Sequence, residues 1–229
     1  MFHQILIRPL LNLLIWLYNV IPGHDLGLAL IAFTILVRLA LFPSFQKSLR
    51  SQRQLQQIQP KLDEIRTKYE NDKEAQTKAM LEFYQQHKIN PLSSCLPLLI
   101  QLPLLIALYS VFRIGLNGNL ASDLYPFVAN PGIINHNLLG IVELAKPNII
   151  LGVFAGLTQF VQSKMMAPKT TSASDKTTTL MNAQFTYLMP AVTVLIATKL
   201  PAGLSLYWVI TTLFAISQQY YIIKKRNDR

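Results

Sequence analysis

Charged residues are scarce in this sequence. Only 14% of its 229 residues are Asp, Glu, Lys or Arg, while 51% are hydrophobic, and a typical soluble domain carries about 25% charged residues. Cysteine occurs once, at Cys95, which excludes an intrachain disulfide and a cysteine-rich metal site. We interpret Cys95 as a packing residue. Long apolar runs recur instead, so the composition indicates an integral membrane protein with a single membrane domain.

Motifs of enzyme chemistry are also missing. The four histidines, His3, His24, His87 and His136, are too far apart in sequence for a local metal site. There is no glycine-rich phosphate loop, no nucleophile elbow and no pair of acids within an apolar run. We therefore expect neither an enzyme nor a cofactor.

Five apolar segments approach the roughly 20 residues that a membrane-spanning helix needs. They are residues 26–45, 95–113, 147–165, 181–198 and 203–223. We expect an external loop at 114–146, a flexible cytoplasmic loop at 166–180 and a short cytoplasmic tail at 224–229. The fold class is thus predicted to be all-α, with five transmembrane helices in residues 22–229.

Residues 1–21 form a sixth apolar segment of different character. Gln4, Arg8, Asn12 and Asn19 lie at helical spacings and mark one polar stripe. A cleaved signal peptide is the alternative, but no small-residue cleavage site follows. We favour an amphipathic helix that lies in the membrane interface.

The basic residues of the loops predict the orientation in the membrane. Nine lie between residues 46 and 94, three lie in 164–180 and four lie in the tail, all on one side of a five-span arrangement. The other side has only Arg8, Arg113, Lys146 and Lys199. This asymmetry places the N-terminus outside and the C-terminus in the cytoplasm.

Residues 46–90 are predicted to form a cytoplasmic helical hairpin. Leu55, Ile58, Leu62, Ile65 and Tyr69 step by three and four residues, as in a coiled-coil seam. Pro60 should kink this arm or begin a new helix there. The interleaved charges are typical of a solvated face, and their positive excess also suits anionic lipid headgroups or a ribosome surface.

Arg38 lies inside the first predicted span. It is roughly 18 Å from one end and 13 Å from the other, at 1.5 Å per residue, and a charge at such depth is costly and usually functional. None of the five spans contains an Asp or Glu. An arginine without an acidic neighbour implies water, polar side chains or a transient anionic partner.

Polar side chains in the other spans offer such surroundings. Each one alone is more typical of a hydrogen bond between helices, but together with Arg38 they indicate a hydrophilic cavity open to the cytoplasm. The candidate cavity residues are Arg38, Gln101, Gln159, Gln162, Gln184 and Trp208. Tyr207 and Trp208 either shape a client contact or anchor the last helix.

Several motifs resemble the YidC/Oxa/Alb membrane protein insertases in their bacterial short form. The matching stretches are DLGLALIAFTILVRLALFP at 25–43, QPKLDEIRTKYENDKEAQ at 59–76, HKINPLSSCLPLLIQLPLLIALYSVFR at 87–113 and LPAGLSLYWVITTLF at 200–214. With YPFVANPGIIN and LLGIVEL of the external loop, they are distributed over almost the entire chain in the family's order. Unlike longer members, the sequence has no large domain before the first core span and no basic extension after Tyr221, which weakens the ribosome as a partner.

The resemblance implies a five-helix core around a groove that opens to the cytoplasm and to lipid. It implies that Arg38 is the groove arginine, that 46–90 is the coiled-coil hairpin and that 1–21 is the interfacial helix. The expected function is insertion and folding of short-tailed membrane proteins in the bacterial cytoplasmic membrane. The expected partners are nascent clients and lipids, with the Sec translocon, the signal recognition machinery and the ribosome as candidates.

Two other functions stay open. An assembly chaperone that works only with the Sec translocon would have the same sequence features. A proton-coupled secondary transporter ordinarily has an acid or histidine in a span and often internal repeats, and neither is visible here.

Overall fold

The computed structural model of the chain describes residues 1–87, 89–90, 96–116, 120–167 and 183–227. Residues 168–180 of the predicted loop 166–180 lie outside the described part of the chain, and so does Cys95. The described elements, in chain order, are a π-helical turn His3–Ile7, α1 Arg8–Val20, α2 Leu26–Ala40, α3 Phe42–Lys68, α4 Lys73–Gln86, α5 Leu96–Leu116, β1 Asn137–Leu138, β2 Val142–Glu143, α6 Ile149–Met166, a π-helical turn Gln184–Leu188, α7 Met189–Ala197 and α8 Ala202–Asn227. The fold is helical, as predicted, apart from one very short hairpin.

The first predicted span is divided at Leu41. Helix α2 ends at Ala40, and α3 leaves at an angle of 66°. Pro43 lies in the first turn of α3, where its missing N–H is tolerated but cannot extend the hydrogen-bond ladder of α2. The predicted segment 26–45 therefore crosses a helix break.

Helices α3 and α4 form the region predicted as a hairpin. Asp72 caps α4 by accepting hydrogen bonds from the backbone N–H groups of Glu74 and Ala75, at 3.1 and 2.9 Å. The Gln76 side chain donates to the Arg66 carbonyl at 2.9 Å. Helix α3 continues through Pro60, so no new helix begins there, and the alternative, a kink, stays a prediction. The coiled-coil seam stays a prediction.

Helices α6, α7 and α8 pack against one another. Two glycines one turn apart, Gly152 and Gly156, face α7, and a Cβ at Gly156 would lie 2.2 Å from the Val194 side chain and 3.0 Å from the Pro190 carbonyl. Small residues at this spacing let apolar helices approach closely. The close contact of α6 with α7 therefore depends on the absence of side chains there.

The N-terminal helix α1 packs against the other helices of the molecule. Its buried residues Leu11, Leu14 and Ile15 join the main hydrophobic core together with parts of α2, α5 and α8. The polar stripe predicted on 1–21 contacts the external loop: the Arg8 guanidinium donates to the Asp123 carbonyl at 3.1 Å, and Asn19 donates to the Ala129 carbonyl at 2.7 Å.

Asn12 is the buried centre of this contact. Its amide donates to the carbonyls of Arg8 and Asp123 at 2.8 and 2.9 Å, and its oxygen accepts from the Tyr125 N–H at 2.6 Å. It is only 3% exposed. The stripe residues Arg8, Asn12 and Asn19 thus bind protein backbone.

Asp25 links the start of α2 to the external loop. One carboxylate oxygen accepts from the Leu28 N–H at 2.9 Å and caps the helix, and the other accepts from the Leu139 N–H at 2.5 Å. Leu139 and Gly140 both have positive φ, at 51° and 71°, as the tight turn of a β-hairpin requires. Leu138 then packs where a Cβ on Gly27 would lie.

Only α6, Ile149–Met166, is long and apolar enough to cross a membrane by itself among the described helices. A second span is counted if α2 and α3 form one bent crossing, and shorter apolar stretches occur at Gln101–Ile114 and Thr186–Ala197. The five-span count therefore stays a prediction.

Candidate functional site

Arg38 is the buried cation from which the candidate site is built. It lies in the last turn of α2 and is only 7% exposed. No carboxylate of the described residues lies within 4.0 Å of it. The Phe45 ring, in the first turn of α3, covers the guanidinium, with 4.2 Å from Cζ to the ring centroid. The protein therefore holds this charge without a neutralising acid in the described part of the chain.

Tyr207 and Gln101 lie on the side of α8 and α5. The Gln101 amide donates to the Tyr207 hydroxyl at 3.2 Å. Tyr207 is buried and close enough to Arg38 for an electrostatic interaction between them. The structure thus brings Arg38, Tyr207 and Gln101 from three helices into one region.

Gln159 on α6 is the centre of a second polar group. Its side-chain oxygen accepts hydrogen bonds from Trp208 Nε1 at 2.9 Å and from the Thr193 hydroxyl at 3.0 Å. Trp208 therefore bonds across to α6, and Gln159 joins α6, α7 and α8. This is the helix-to-helix role that the sequence left open for such residues.

The remaining two candidates are not drawn into either group. Gln162 is half-buried and has no hydrogen bond to a described residue, and Gln184 is exposed at the start of its π-helical turn. On α8, both amide atoms of Gln218 are buried and lack a partner among the described residues. The second half of α8 therefore carries buried polar atoms that make no hydrogen bond to a described residue.

Helix α3, the first arm of the predicted hairpin, lies against Met166 at the end of α6 and Gln219 in the second half of α8. The Arg53 guanidinium donates to the Gln219 carbonyl at 3.2 Å. The Gln56 amide donates to the Met166 carbonyl, and the Gln219 amide contacts the Met166 sulfur at 2.9 Å. Helix α3 is thus attached to the two helices that carry Gln159 and Trp208.

The end of the molecule at which α8 begins is closed by backbone hydrogen bonds and packing. The N–H groups of Ala202 and Gly203 donate to the carbonyls of Lys146 and Leu144, at 2.9 and 3.0 Å. The Phe112 ring occupies the space that a Cβ on Gly203 would need. The start of α8, the end of the external loop and α5 are therefore tightly joined.

Sequence reasoning missed Phe45 and the glycine pair of α6. Pro43 was the available signal for Phe45, because a proline after an apolar run marks a helix start and so a change of direction. The GVFAG spacing at 152–156 was the signal for the close α6–α7 contact.

These features define a class: an apolar, helical protein with a buried arginine beside a tyrosine and a phenylalanine. The chain belongs to the 60Kd inner membrane protein family, whose profile matches residues 16–229.

Three relatives place the chain within that family. It is 35% identical over 201 residues to the membrane protein insertase YidC of Fusobacterium nucleatum, covering 88% of this chain and 87% of the relative. It is 36% identical over 197 residues to that of Clostridium tetani, covering 86% and 81%. The identity to the insertase YidC of Geobacter metallireducens is 34% over 221 residues, which covers 96% of this chain but 37% of that relative.

Proposed function

We propose that this protein is a membrane protein insertase of the bacterial cytoplasmic membrane. The observation that carries the proposal is Arg38, a buried guanidinium without a carboxylate within 4.0 Å among the described residues. The name shared by the relatives, membrane protein insertase YidC, supports the same function.

Arg38 acts as an electrostatic receptor for a client's N-terminal tail. A cation without a neutralising acid nearby in the described chain attracts an acidic or polar tail and holds it part-way across the membrane. Gln101, Gln159, Gln162, Gln184 and Trp208 line the cytoplasmic groove that leads to Arg38. Because the groove is hydrated, the tail crosses only the remaining part of the hydrocarbon layer.

The driving force comes from the client itself. Its apolar helix moves sideways into lipid, and burial of apolar surface contributes about 25 cal/mol per Å². The membrane potential adds to this for an acidic tail. The tightly joined external end, around Gly203 and Phe112, keeps the groove from becoming a pore.

Five spans, an external N-terminus and a cytoplasmic C-terminus complete the proposed topology. In it, α3 and α4 form the cytoplasmic hairpin that receives the client, with lipid headgroups, the Sec translocon, the signal recognition machinery or the ribosome as further contacts.

The test uses purified protein in liposomes and two versions of a small single-helix client. One version has aspartates in its N-terminal tail and the other has asparagines at the same positions. Insertion is measured by protease protection, with and without the Sec translocon. Insertion by the protein alone is expected, whereas insertion only with the translocon would make it a Sec-associated chaperone.

Charge variants at Arg38 test the receptor in the same assay. Arg38→Glu should lose the aspartate client, because like charges repel, whereas Arg38→Lys should retain much of its insertion. The asparagine client is the internal control for groove integrity. Equal loss with both variants would mean that guanidinium geometry, and not positive charge, is required.

A further inference from the structure

The Phe45 ring lies against the Arg38 guanidinium. The guanidinium carbon of Arg38 lies 4.2 Å from the centroid of the Phe45 ring, and the two side chains are 7% and 5% exposed. A cation within about 6 Å of an aromatic ring centroid is attracted by the electrons of the ring face, and more strongly where water is excluded. This contact therefore stabilises a charge that no nearby acid neutralises within the described chain.

The break between α2 and α3 makes the contact possible. Arg38 and Phe45 are seven residues apart, which in one continuous helix separates them by roughly 10 Å along the axis. Here α2 stops at Ala40, and α3 departs at 66° with Pro43 in its first turn. The ring therefore reaches back to the guanidinium across the break.

The guanidinium carries five N–H donors in its plane, and its carbon lies over the Phe45 ring. No described residue accepts a hydrogen bond from Arg38. The nearby Tyr207 hydroxyl already accepts from Gln101. Within the described part of the chain, the N–H donors of Arg38 are therefore unused, and paired hydrogen bonds to such donors are what a carboxylate makes with arginine.

We infer that Phe45 is a positioning residue that holds the Arg38 guanidinium through this cation–π contact, so that its N–H donors bind a client carboxylate. This inference rests on the proposed function of Arg38. It identifies the preferred ligand as an aspartate or glutamate side chain in a client tail. A neutral polar tail binds less well, because a side-chain amide has one acceptor oxygen where a carboxylate has two. It cannot accept from two guanidinium N–H groups at once in the same way.

The experiment compares Phe45→Leu, Phe45→Trp and Arg38→Ala in liposomes with the aspartate and asparagine clients. Phe45→Leu keeps an apolar side chain but removes the ring, while Phe45→Trp keeps a ring. Leu49→Val is the matched control, since Leu49 is buried one turn further along α3. Thermal unfolding of each variant is recorded, and Phe45→Met replaces Phe45→Leu if the latter does not fold.

We expect Phe45→Leu to lower insertion of the aspartate client about tenfold, which lies within the range of a cation–π contact, and to leave the asparagine client nearly unchanged. Phe45→Trp should restore the preference, and Leu49→Val should keep it. If Phe45→Leu keeps the parent's preference while Arg38→Ala loses it, the role of Phe45 is refuted and the receptor role of Arg38 stands. Failure of Phe45→Trp to restore the preference also refutes it. If Arg38→Ala keeps the preference, the proposed function itself fails.

Discussion

Asn12 shows at the scale of one residue how a polar side chain in an apolar helix can be structural. We expect Asn12→Leu to destabilise the protein by about 1–3 kcal/mol, because it leaves the part-buried Tyr125 N–H without a partner and removes one of the two side-chain donors to the Asp123 carbonyl, which keeps its bond from Arg8. The measurement is thermal or denaturant unfolding in detergent. Asn19→Leu is the control, since its single bond to Ala129 is exposed, and it should cost well under half as much. Equal costs would contradict the importance of burial.

His136 is the residue from which a pH dependence follows. Its half-buried ring has an Nε2 atom without a described partner, and it lines a small apolar cavity of about 20 Å³ with Leu11, Val111 and Phe112. Burial lowers the pKa of His136 below its usual value, and the Glu143 carboxylate raises it by a smaller amount.

The sign of this effect can be worked out. Because the folded pKa is lowered, the unfolded chain takes up a proton first as the pH falls below about 6.5. The contribution of the neutral ring is present above that pH and is lost on acidification. We expect the melting temperature to fall between about pH 7.5 and 5.5, and His136→Gln to reduce that fall. An identical slope in the variant would show that other groups cause it.

Element packing depends on the glycine face of α6. Gly156→Leu should separate α6 from α7 and cost about 1–3 kcal/mol or more, as overpacking does, because even a Cβ would overlap Val194. Val153→Leu, on an exposed position of the same helix, is the matched control and should be nearly neutral. Unfolding in detergent measures both. A stable Gly156→Leu variant would mean that α7 can move away at little cost.

The elements also show what sequence can reveal. Helical class, the separate character of 1–21 and the turn after Tyr69 follow from periodicity and local breaks, which act over a few residues. The break at Leu41 was missed because hydropathy records apolar composition, whereas Pro43 acts through a lost backbone hydrogen bond. Pro60 did not begin a new helix, since the chain continues helically on both sides of it.

The candidate site was predictable only in its outline. An arginine among apolar residues without acids is visible in the sequence, so Arg38 could be named. The bonds from Trp208 and Thr193 to Gln159 join residues 34 to 49 positions apart, and no local pattern contains such pairings. The same holds for Phe45, whose contact depends on a bend angle.

At the scale of the whole molecule, the proposed topology, with the joined start of α8 outside and the polar second half of α8 towards the cytoplasm, predicts one-sided access of water. With Cys95→Ser as background, Arg38→Cys should react with a membrane-impermeant thiol reagent added from the cytoplasmic side only. Ala202→Cys, fully buried at the external end, is the control and should react from neither side. Labelling of position 38 from both sides would indicate a channel, and its protection from both would contradict the hydrated groove.

Asp25 has a consequence for the order in which the chain matures during synthesis. Its second bond, to Leu139, joins residues 114 positions apart, and the contacts of Arg8 and Asn12 with Asp123 span 115 and 111 positions. At about 5–20 residues per second, the ribosome needs roughly 5–25 seconds to supply those partners. During that interval, the first two helices of a nascent chain lack these hydrogen bonds. A newly made copy therefore completes these contacts of Arg8, Asn12 and Asp25 only after Asp123 and Leu139 have been synthesised.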